Sequence, residues 1–570
     1  MNSAANANNV NKVEIAHRAS YLSNASQAKD GEDYQGIKTP EALEGDIEGG
    51  ALREGGAPKL YSKDHIGLLF QYAAVGMVYG VLPATIYPFL QSYLNSSGTQ
   101  VTTASTLVVL PWSFKVFYGI VSDCFPIFGY RRRPYMLIGW SICFAMLIVM
   151  AVLPVGDPYF LDPADANISP ENYPLHPGIE DRLNKSAPGK GSKYILLMMF
   201  AAFGYLMADV SADGLVVELA QREPLAVRGT TQSTIYIVRS FVIALGYIVT
   251  GFAFNGKDYG GTFDQSLSFP TLMLILAILL IPVMPITWFF IKEEKHEQAI
   301  FSDYMSTLWQ FVQQRAVYQI IFYNFFSGIF ANFSYTASSP VQRYMVHVTP
   351  INNSLSSVFG ELLFVAGISI VTKWGLHWNW RFIIVVTGII VIVLDGICTF
   401  ITIWDVFRSQ WFWLGVPVAV NVPSGIGWII STFATVELAG EGNEGAIYGL
   451  MTTVTNLSQP FAATLTKIID QKWNMTNERI QIDDHSIRMD ITKSVILMYA
   501  MTAVAWLFLV FLPKQKTDVQ ELKRTGGSSK ILGGLTVFYL LFALVWSVMT
   551  NLMGIFDSTA CLVIAGGDGC

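Results

Sequence analysis

The chain has little charge for its size. Only 14% of its 570 residues are charged, against about 25% in a typical soluble protein, and 52% are apolar. No Asp, Glu, Lys or Arg occurs between His65 and Lys115, a stretch long enough for two bilayer crossings of about 20 residues each. This shortage excludes an ordinary cytosolic enzyme and predicts an all-α polytopic membrane protein.

The chain also has few cysteines and a negative net charge. The two longest predicted exterior loops contain no cysteine, which excludes a disulfide scaffold there, and no spacing suits a metal ion. A net charge of −6 does not provide the basic face with which proteins neutralise nucleic-acid phosphates. We therefore expect no metal, no cofactor and no nucleic-acid partner. The five cysteines are Cys124, Cys143, Cys398, Cys561 and Cys570.

The motifs of nucleotide-driven pumps and hydrolases are absent as well. A phosphate-binding loop ends in Gly-Lys-Ser/Thr, whereas the nearest approach, Gly189 to Ser192, lacks the spacing and the hydroxyl after the lysine. Neither a His-Glu-x-x-His zinc site nor a Gly-x-Ser-x-Gly nucleophile elbow occurs. The sequence predicts that the protein is not an enzyme.

Long apolar runs are abundant, and they predict twelve membrane crossings with a thirteenth candidate near the C-terminus. Residues 1–60 are polar and lack apolar periodicity, which predicts a disordered cytoplasmic tail. The twelve runs are Ile66 to Leu90, Val101 to Val121, Tyr135 to Pro154, Tyr194 to Leu219, Thr231 to Phe254, Phe269 to Ile291, Ala316 to Ser338, Asn352 to Val371, Arg381 to Ile403, Trp411 to Leu438, Glu444 to Thr466 and Ile491 to Leu512, and the thirteenth is Ile531 to Phe556.

An internal repeat divides the crossings into two sets of six. Val-Glu-Leu-Ala closes the fourth crossing at residues 217–220 and the tenth at 436–439. The first three crossings start 250, 251 and 246 residues before their counterparts, and the motif offset falls to 219 because a long loop, Val155 to Ser192, occurs only in the first half. Parallel six-helix repeats are typical of the major facilitator architecture, with a substrate cavity between the halves. The predicted bundles are 61–291 and 316–513, joined by a cytoplasmic linker at 292–315 and followed by a tail at 514–570.

Charge and glycosylation signals favour a cytoplasmic N-terminus. Interior connections carry fifteen Lys and Arg against twelve outside, and basic residues favour the cytoplasmic side. We further expect a monomeric glycoprotein of the plasma membrane. Its Asn-x-Ser/Thr triplets, all in predicted exterior connections, begin at Asn95, Asn167, Asn184, Asn352 and Asn474.

Two motifs carry a family resemblance. Between the second and third crossings, residues 119–135 read Gly-Ile-Val-Ser-Asp-Cys-Phe-Pro-Ile-Phe-Gly-Tyr-Arg-Arg-Arg-Pro-Tyr, and residues 209–218 read Asp-Val-Ser-Ala-Asp-Gly-Leu-Val-Val-Glu. Together with Lys115 they resemble the folate-biopterin transporter family of the major facilitator superfamily. Two positions depart from that pattern: Val116 stands where the family has Pro, and Gly214 where it has Ala. The resemblance implies a secondary carrier of folate, biopterin or an analogue.

Charged residues inside the crossings are the candidate substrate and proton sites, because a charge in hydrocarbon is costly. Asp209 and Asp213 are four residues apart and share one helix face. They either bind a pterin or a proton, or pair with bases as structural locks. Arg239 suits a substrate carboxylate and equally suits Asp213. Lys115 is either an anion anchor or the partner of Asp123.

The second half offers two more candidates, and both halves offer gating residues. Glu361 and Asp395 lie near mid-span and either carry protons or pair with a base such as Lys373. Charges at the cytoplasmic membrane edge predict a conformational latch, with Glu218 and Glu437 as matching elements of the repeat. The latch residues are Asp123, Arg131, Arg132 and Arg133.

The predicted function is secondary active transport of folate or pterin solutes by alternating access, coupled to protons. The alternatives are a carrier of another organic anion, sugar or amino acid on the same fold, a non-transporting membrane receptor, and a lipid-handling protein.

Overall fold

The computed structural model describes residues 55–220, 222–223, 230–295, 300–375, 377–438, 444–567 and 569, and these residues form helices and no β-strand. Most of the predicted disordered tail, residues 1–54, lies outside the described residues. Leu60, the last residue of that predicted tail, is buried in the core of the first half. The prediction of disorder is therefore wrong at this residue.

Within the described residues, thirteen long helices occupy the thirteen predicted positions. Eleven described helices are long and apolar enough to cross a membrane. Of the other two, α7 has only 17 residues. α11 is a continuous helix whose apolar residues alternate with polar ones such as Thr453 and Asn456. The helices are α1 Ile66–Tyr93, α2 Gly98–Cys124, α3 Arg133–Val152, α4 Gly191–Ala220, α5 Thr230–Ala253, α6 Phe269–Phe289, α7 Arg315–Ala331, α8 Pro350–Gly375, α9 Trp380–Ile403, α10 Gln410–Leu438, α11 Glu444–Asp470, α12 His485–Phe511 and α13 Lys530–Met553. The prediction of an all-α polytopic membrane protein is confirmed.

The helices of each half pack closely around a core of their own. Small residues permit this closeness: a Cβ on Gly139 of α3 would stand 2.5 Å from the Gly204 carbonyl oxygen of α4. We call the membrane side that carries the Arg131–Arg133 turn the arginine side, and the side that carries the Val155–Ser192 loop the loop side.

α7 is shorter than predicted. The apolar run reaches Ser338, but the helix ends at Ala331. Beyond this end, the buried Asp470 carboxylate accepts hydrogen bonds from the Thr336 backbone N–H (2.7 Å) and hydroxyl (3.0 Å) and from the Ser494 hydroxyl (2.6 Å). These bonds hold the segment after the helix, while the Asn332 side-chain amide donates to the Gly328 carbonyl of the last turn at 2.8 Å.

The two halves meet on the loop side. Tyr87 donates a hydrogen bond to the Val348 carbonyl (2.7 Å). The Asn95 side chain accepts hydrogen bonds from Tyr344 and, at 2.8 Å, from Asn477. These contacts close the loop side, and they bury Asn95, whose triplet had been one of the five glycosylation signals.

α13 runs from the arginine side to the loop side. Just before it, the Ser529 N–H donates to the Gln313 carbonyl at 2.8 Å, next to the start of α7. Near its other end, Asn551 accepts a hydrogen bond (2.9 Å) from the fully buried Lys467 of α11, whose ammonium also donates to Thr103 of α2 (3.0 Å). With 24 residues, α13 has the length of a bilayer crossing.

Candidate functional site

Four of the predicted charges meet in one cluster inside the first half. α4 presents Asp209 and Asp213 on one face, as their spacing predicts. The Lys115 ammonium of α2 lies 3.5 Å from Asp209 Oδ2 and 3.3 Å from Asp213 Oδ2. Arg239 of α5 brings its Nη1 to 3.6 Å from Asp209 Oδ1. We call these four residues the ion cluster.

The charges of the ion cluster cancel, yet their contacts are loose. Separations of 3.3 to 3.6 Å exceed the roughly 2.8 Å of a tight charge-assisted hydrogen bond. Asp209 is fully buried, whereas the side chains of Asp213 and Arg239 keep 19% and 20% of their surface accessible. The cluster therefore borders accessible space.

Three aromatic residues that the sequence reasoning missed surround the ion cluster. The Tyr72 hydroxyl donates to Asp213 Oδ1 at 2.6 Å. The Lys115 ammonium lies 4.6 Å from the centre of the Trp112 ring, and the Arg239 guanidinium 4.9 Å from that of Tyr236, both within the range of cation–π attraction. Each of these two rings precedes its cation by three residues. That helical spacing was a signal available in the sequence.

The candidates of the second half lie outside the ion cluster. Glu361 of α8 lies near Ser240 and is close enough to Arg239 to interact with its charge. Asp395 lies between α9 and α12, where it accepts a hydrogen bond from the Tyr499 hydroxyl at 2.7 Å. Lys373 does not serve as its base in this structure, since it is exposed and contacts the Trp374 ring.

The predicted latch is built around Arg132. Its Nη2 lies 2.7 Å from Asp123 Oδ1 and 3.5 Å from Glu218 Oε1, and its Nη1 donates to Ser122 at 2.8 Å. One arginine therefore joins α2, the turn before α3, and α4. Asp123 pairs with this arginine, whereas Lys115, the alternative partner, belongs to the ion cluster.

Glu293 holds the arginine turn, and the sequence reasoning missed it. Its carboxylate accepts hydrogen bonds from the backbone N–H groups of Arg131, Arg132 and Arg133 at 2.7, 2.8 and 2.9 Å. These N–H groups begin α3, where a carboxylate satisfies otherwise unpaired donors. Arg133 also stacks on Tyr130, 4.2 Å from the ring centre. Glu293 is about 160 residues away, so no local spacing pointed to it.

Glu437 occupies the repeat position equivalent to Glu218 but has different partners. Its side chain accepts a hydrogen bond from Gln520, and its backbone carbonyl accepts one from Lys523 at 3.3 Å. Both partners lie on the helix Lys516–Thr525. The repeat is therefore preserved in sequence but not in its contacts. In the second half the glutamate contacts the helix of the tail, whereas in the first half it contacts the arginine turn.

The chain matches a known protein family over most of its length. The BT1 family model matches residues 76–168 and 188–530. The chain belongs to the BT1 family. A folate-biopterin transporter of Synechocystis sp. is 23% identical over 506 residues, which cover 85% of this chain and 89% of that protein. A probable folate-biopterin transporter 4 of Arabidopsis thaliana is 25% identical over 191 residues, 33% of this chain and 30% of that protein. The resemblance read from the two motifs is confirmed.

Solved structures give the fold of this BT1 family member. A D-xylose-proton symporter superposes with a TM-score of 0.53 at 13% identity, covering 79% of this chain and 97% of that one. A peptide transporter in complex with alafosfalin gives 0.51 at 11% identity, covering 78% and 95%. The major facilitator fold is confirmed. The chain is a multi-pass membrane transporter of a small-molecule solute, and not an enzyme.

Gly214, where the chain departs from the BT1 pattern, leaves the space that the Arg132 guanidinium occupies against α4. A Cβ on Gly214 would stand 2.5 Å from Arg132 Cζ, so Gly214→Ala must displace the guanidinium from Asp123 and Glu218. We expect the unfolding midpoint to fall by about 2 °C, as a loss of about 1 kcal/mol does in a large domain. Thermal unfolding in detergent measures it. The control is Gly119→Ala, where a Cβ meets nothing within 4 Å; equal midpoints for the two variants would contradict the displacement.

Proposed function

We propose that this BT1 family member is a secondary active transporter of folates or related pterins, coupled to protons, that works by alternating access of two six-helix bundles. One observation carries the proposal: two carboxylates and two cations are loosely paired, bordered by aromatic rings, and reachable from accessible space. The relatives named folate-biopterin transporters support the substrate class.

The chemistry of the ion cluster matches that of the solute. A pterin carries an amino group beside a ring N–H, a donor pair that a carboxylate such as Asp213 accepts in bidentate fashion. A folate adds a glutamyl carboxylate, which suits the guanidinium of Arg239 or the ammonium of Lys115. The rings of Trp112 and Tyr236 offer faces on which a flat bicycle can stack. Each solute charge would replace one loose contact within the cluster.

Proton coupling has its candidates in the same region. When a solute carboxylate pairs with Lys115 or Arg239 in place of the aspartates, the negative charges of Asp209 and Asp213 are no longer compensated and repel each other. Protonation of one of the two carboxylates relieves that repulsion. Glu361 and Asp395 are further half-buried carboxylates, in the second half. We propose Asp213 as the first proton carrier, because its side chain is accessible while that of Asp209 is fully buried.

The setting of the protein is part of the same proposal. We place it in the plasma membrane as a monomer with its N-terminus in the cytoplasm, so that the arginine side is cytoplasmic. Among the five glycosylation signals, Asn167 on the Val155–Ser192 loop and Asn474 are exposed, and we propose both as modified asparagines.

Uptake into vesicles tests the proposal directly. Purified protein is reconstituted, and entry of radiolabelled folate or biopterin is followed with and without an imposed pH gradient. We expect accumulation that the gradient drives and a protonophore abolishes. Equal uptake with and without the gradient would refute proton coupling. A protein that moves labelled sugars or amino acids but neither folate nor biopterin would refute the substrate class.

A further inference from the structure

α2 is broken beside the ion cluster. Pro111 has no backbone N–H to donate, and the segment Leu110–Phe114 winds as a tighter 3-10 turn before the α-helix resumes at Lys115. A break inside a membrane leaves backbone N–H and C=O groups without helical partners, and these groups must be paired within the protein. The break therefore requires polar side chains from a neighbouring helix.

α11 of the second half supplies those side chains. The Thr453 hydroxyl accepts a hydrogen bond from the Val116 backbone N–H at 3.0 Å. The Asn456 amide donates to the Trp112 backbone carbonyl at 3.2 Å. Thr453 is buried, so its contact with α2 is protected from water. The two side chains hold both ends of a five-residue segment, 112–116.

That segment carries two of the groups at the ion cluster. Its Trp112 ring lies against the Lys115 ammonium, and the ammonium reaches Asp209 and Asp213. The other members of the ion cluster, on α4 and α5, also belong to the first half. Thr453 and Asn456 thus join the second half to the segment that sets where Lys115 stands.

We propose that Thr453 and Asn456 are positioning residues, through which α11 fixes the broken segment of α2 and thereby places Trp112 and Lys115 in the ion cluster. Movement of α11 relative to α2 during alternating access strains or breaks these two bonds. The affinity of the ion cluster for its solute then depends on the arrangement of the halves. The inference rests on the proposed function only in taking the ion cluster as the binding site.

A coupling measurement tests the proposal without any solute. Unfolding midpoints are compared for Thr453→Val, Lys115→Met and the double variant, purified in detergent. If Thr453 acts through Lys115, the double variant loses clearly less than the sum of the two single losses. Additive losses would mean that Thr453 only supports the backbone, which overturns the proposal. Trp112→Phe replaces Lys115→Met in the same cycle if that variant does not fold.

Folate binding provides a second measurement. We expect Thr453→Val and Asn456→Leu each to weaken binding of radiolabelled folate to the purified protein about tenfold, the loss that about 1.4 kcal/mol produces. Thr453→Ser keeps the acceptor oxygen and should stay within about twofold of the unmutated Kd.

The matched control on the same helix is Thr455→Val. The Thr455 hydroxyl donates to the Met451 carbonyl of its own helix at 3.1 Å, so its loss should leave binding unchanged. An unchanged Kd in Thr453→Val and Asn456→Leu would overturn the proposal. If the unmutated protein binds no folate, the proposed substrate class fails, and the midpoint comparison still decides the role of Thr453.

Discussion

Asp213→Asn and Arg239→Ala are each expected to abolish transport while the amount of protein in the membrane stays the same. Asp213 forms an ion pair with Lys115 and accepts a hydrogen bond from the Tyr72 hydroxyl, and Arg239 pairs with Asp209. Either change removes a charged contact to the solute, at a cost of about 3 kcal/mol in the free energy of binding. Because about 1.4 kcal/mol corresponds to tenfold, uptake should fall on the order of a hundredfold. Folate uptake, normalised to surface protein, measures this loss.

The control removes a carboxylate that has no role in the ion cluster. Asp264 lies on an exposed loop, paired with Lys257, and Asp264→Asn should transport at the unmutated rate. Uptake near that rate in Asp213→Asn or Arg239→Ala would remove the residue from the site.

Reversing the charges separates binding from structural pairing. If Asp209 and Arg239 only hold each other, the double variant Asp209→Arg with Arg239→Asp restores the pair and should recover transport. We expect no recovery, because the solute and the proton need each charge at its own place. Recovery of transport would identify the pair as a structural lock.

Arg132→Gln is expected to have the second largest effect. The Arg132 side chain is 9% exposed and has two carboxylates and a hydroxyl around it. Tyr304 of the linker helix Phe301–Val312 lies near Asp123, so the linker lies beside this network. Removing the cation of a buried pair costs about 3 kcal/mol. We expect a lower unfolding midpoint and at least a tenfold loss of folate uptake.

The neighbouring arginine provides the comparison. Arg131 meets Glu293 through its backbone N–H, a contact that Arg131→Gln retains. Arg131→Gln should therefore keep the midpoint and most of the uptake. If the two variants behave alike, the loss reflects the total charge of the turn rather than the contacts of Arg132, and the latch assignment would be wrong.

Much of the fold was predictable because its signals are local. An apolar run of about 20 residues specifies a crossing on its own, and the Val-Glu-Leu-Ala repeat revealed the duplication. The ion cluster was partly predictable for the same reason. The spacing of Asp209 and Asp213 fixes their common face, and the cost of charge in hydrocarbon marks Lys115 and Arg239 as candidates.

The remaining site residues could not be predicted because their roles depend on distant partners. Glu293 and Thr453 are ordinary residues in the sequence, and only folding brings them to the arginine turn and the α2 break. Asp395 could not be assigned to Tyr499 without knowing that α9 packs on α12. The end of α7 was likewise missed, since Thr336, in the segment just beyond it, is held by Asp470, 134 residues away.

The course of α13 determines on which side of the membrane the segments before α1 and after α13 lie. Asp64, two residues before α1, is held next to the end of α6 on the arginine side, since the Lys292 N–H donates to its carbonyl at 2.8 Å, whereas α13 finishes beside Lys467 on the loop side. An odd number of passages separates them. A pH-responsive fluorophore fused ahead of α1 and another fused after α13 would thus report two different compartments, and one pair of fusions would read both faces of the membrane during a single transport experiment.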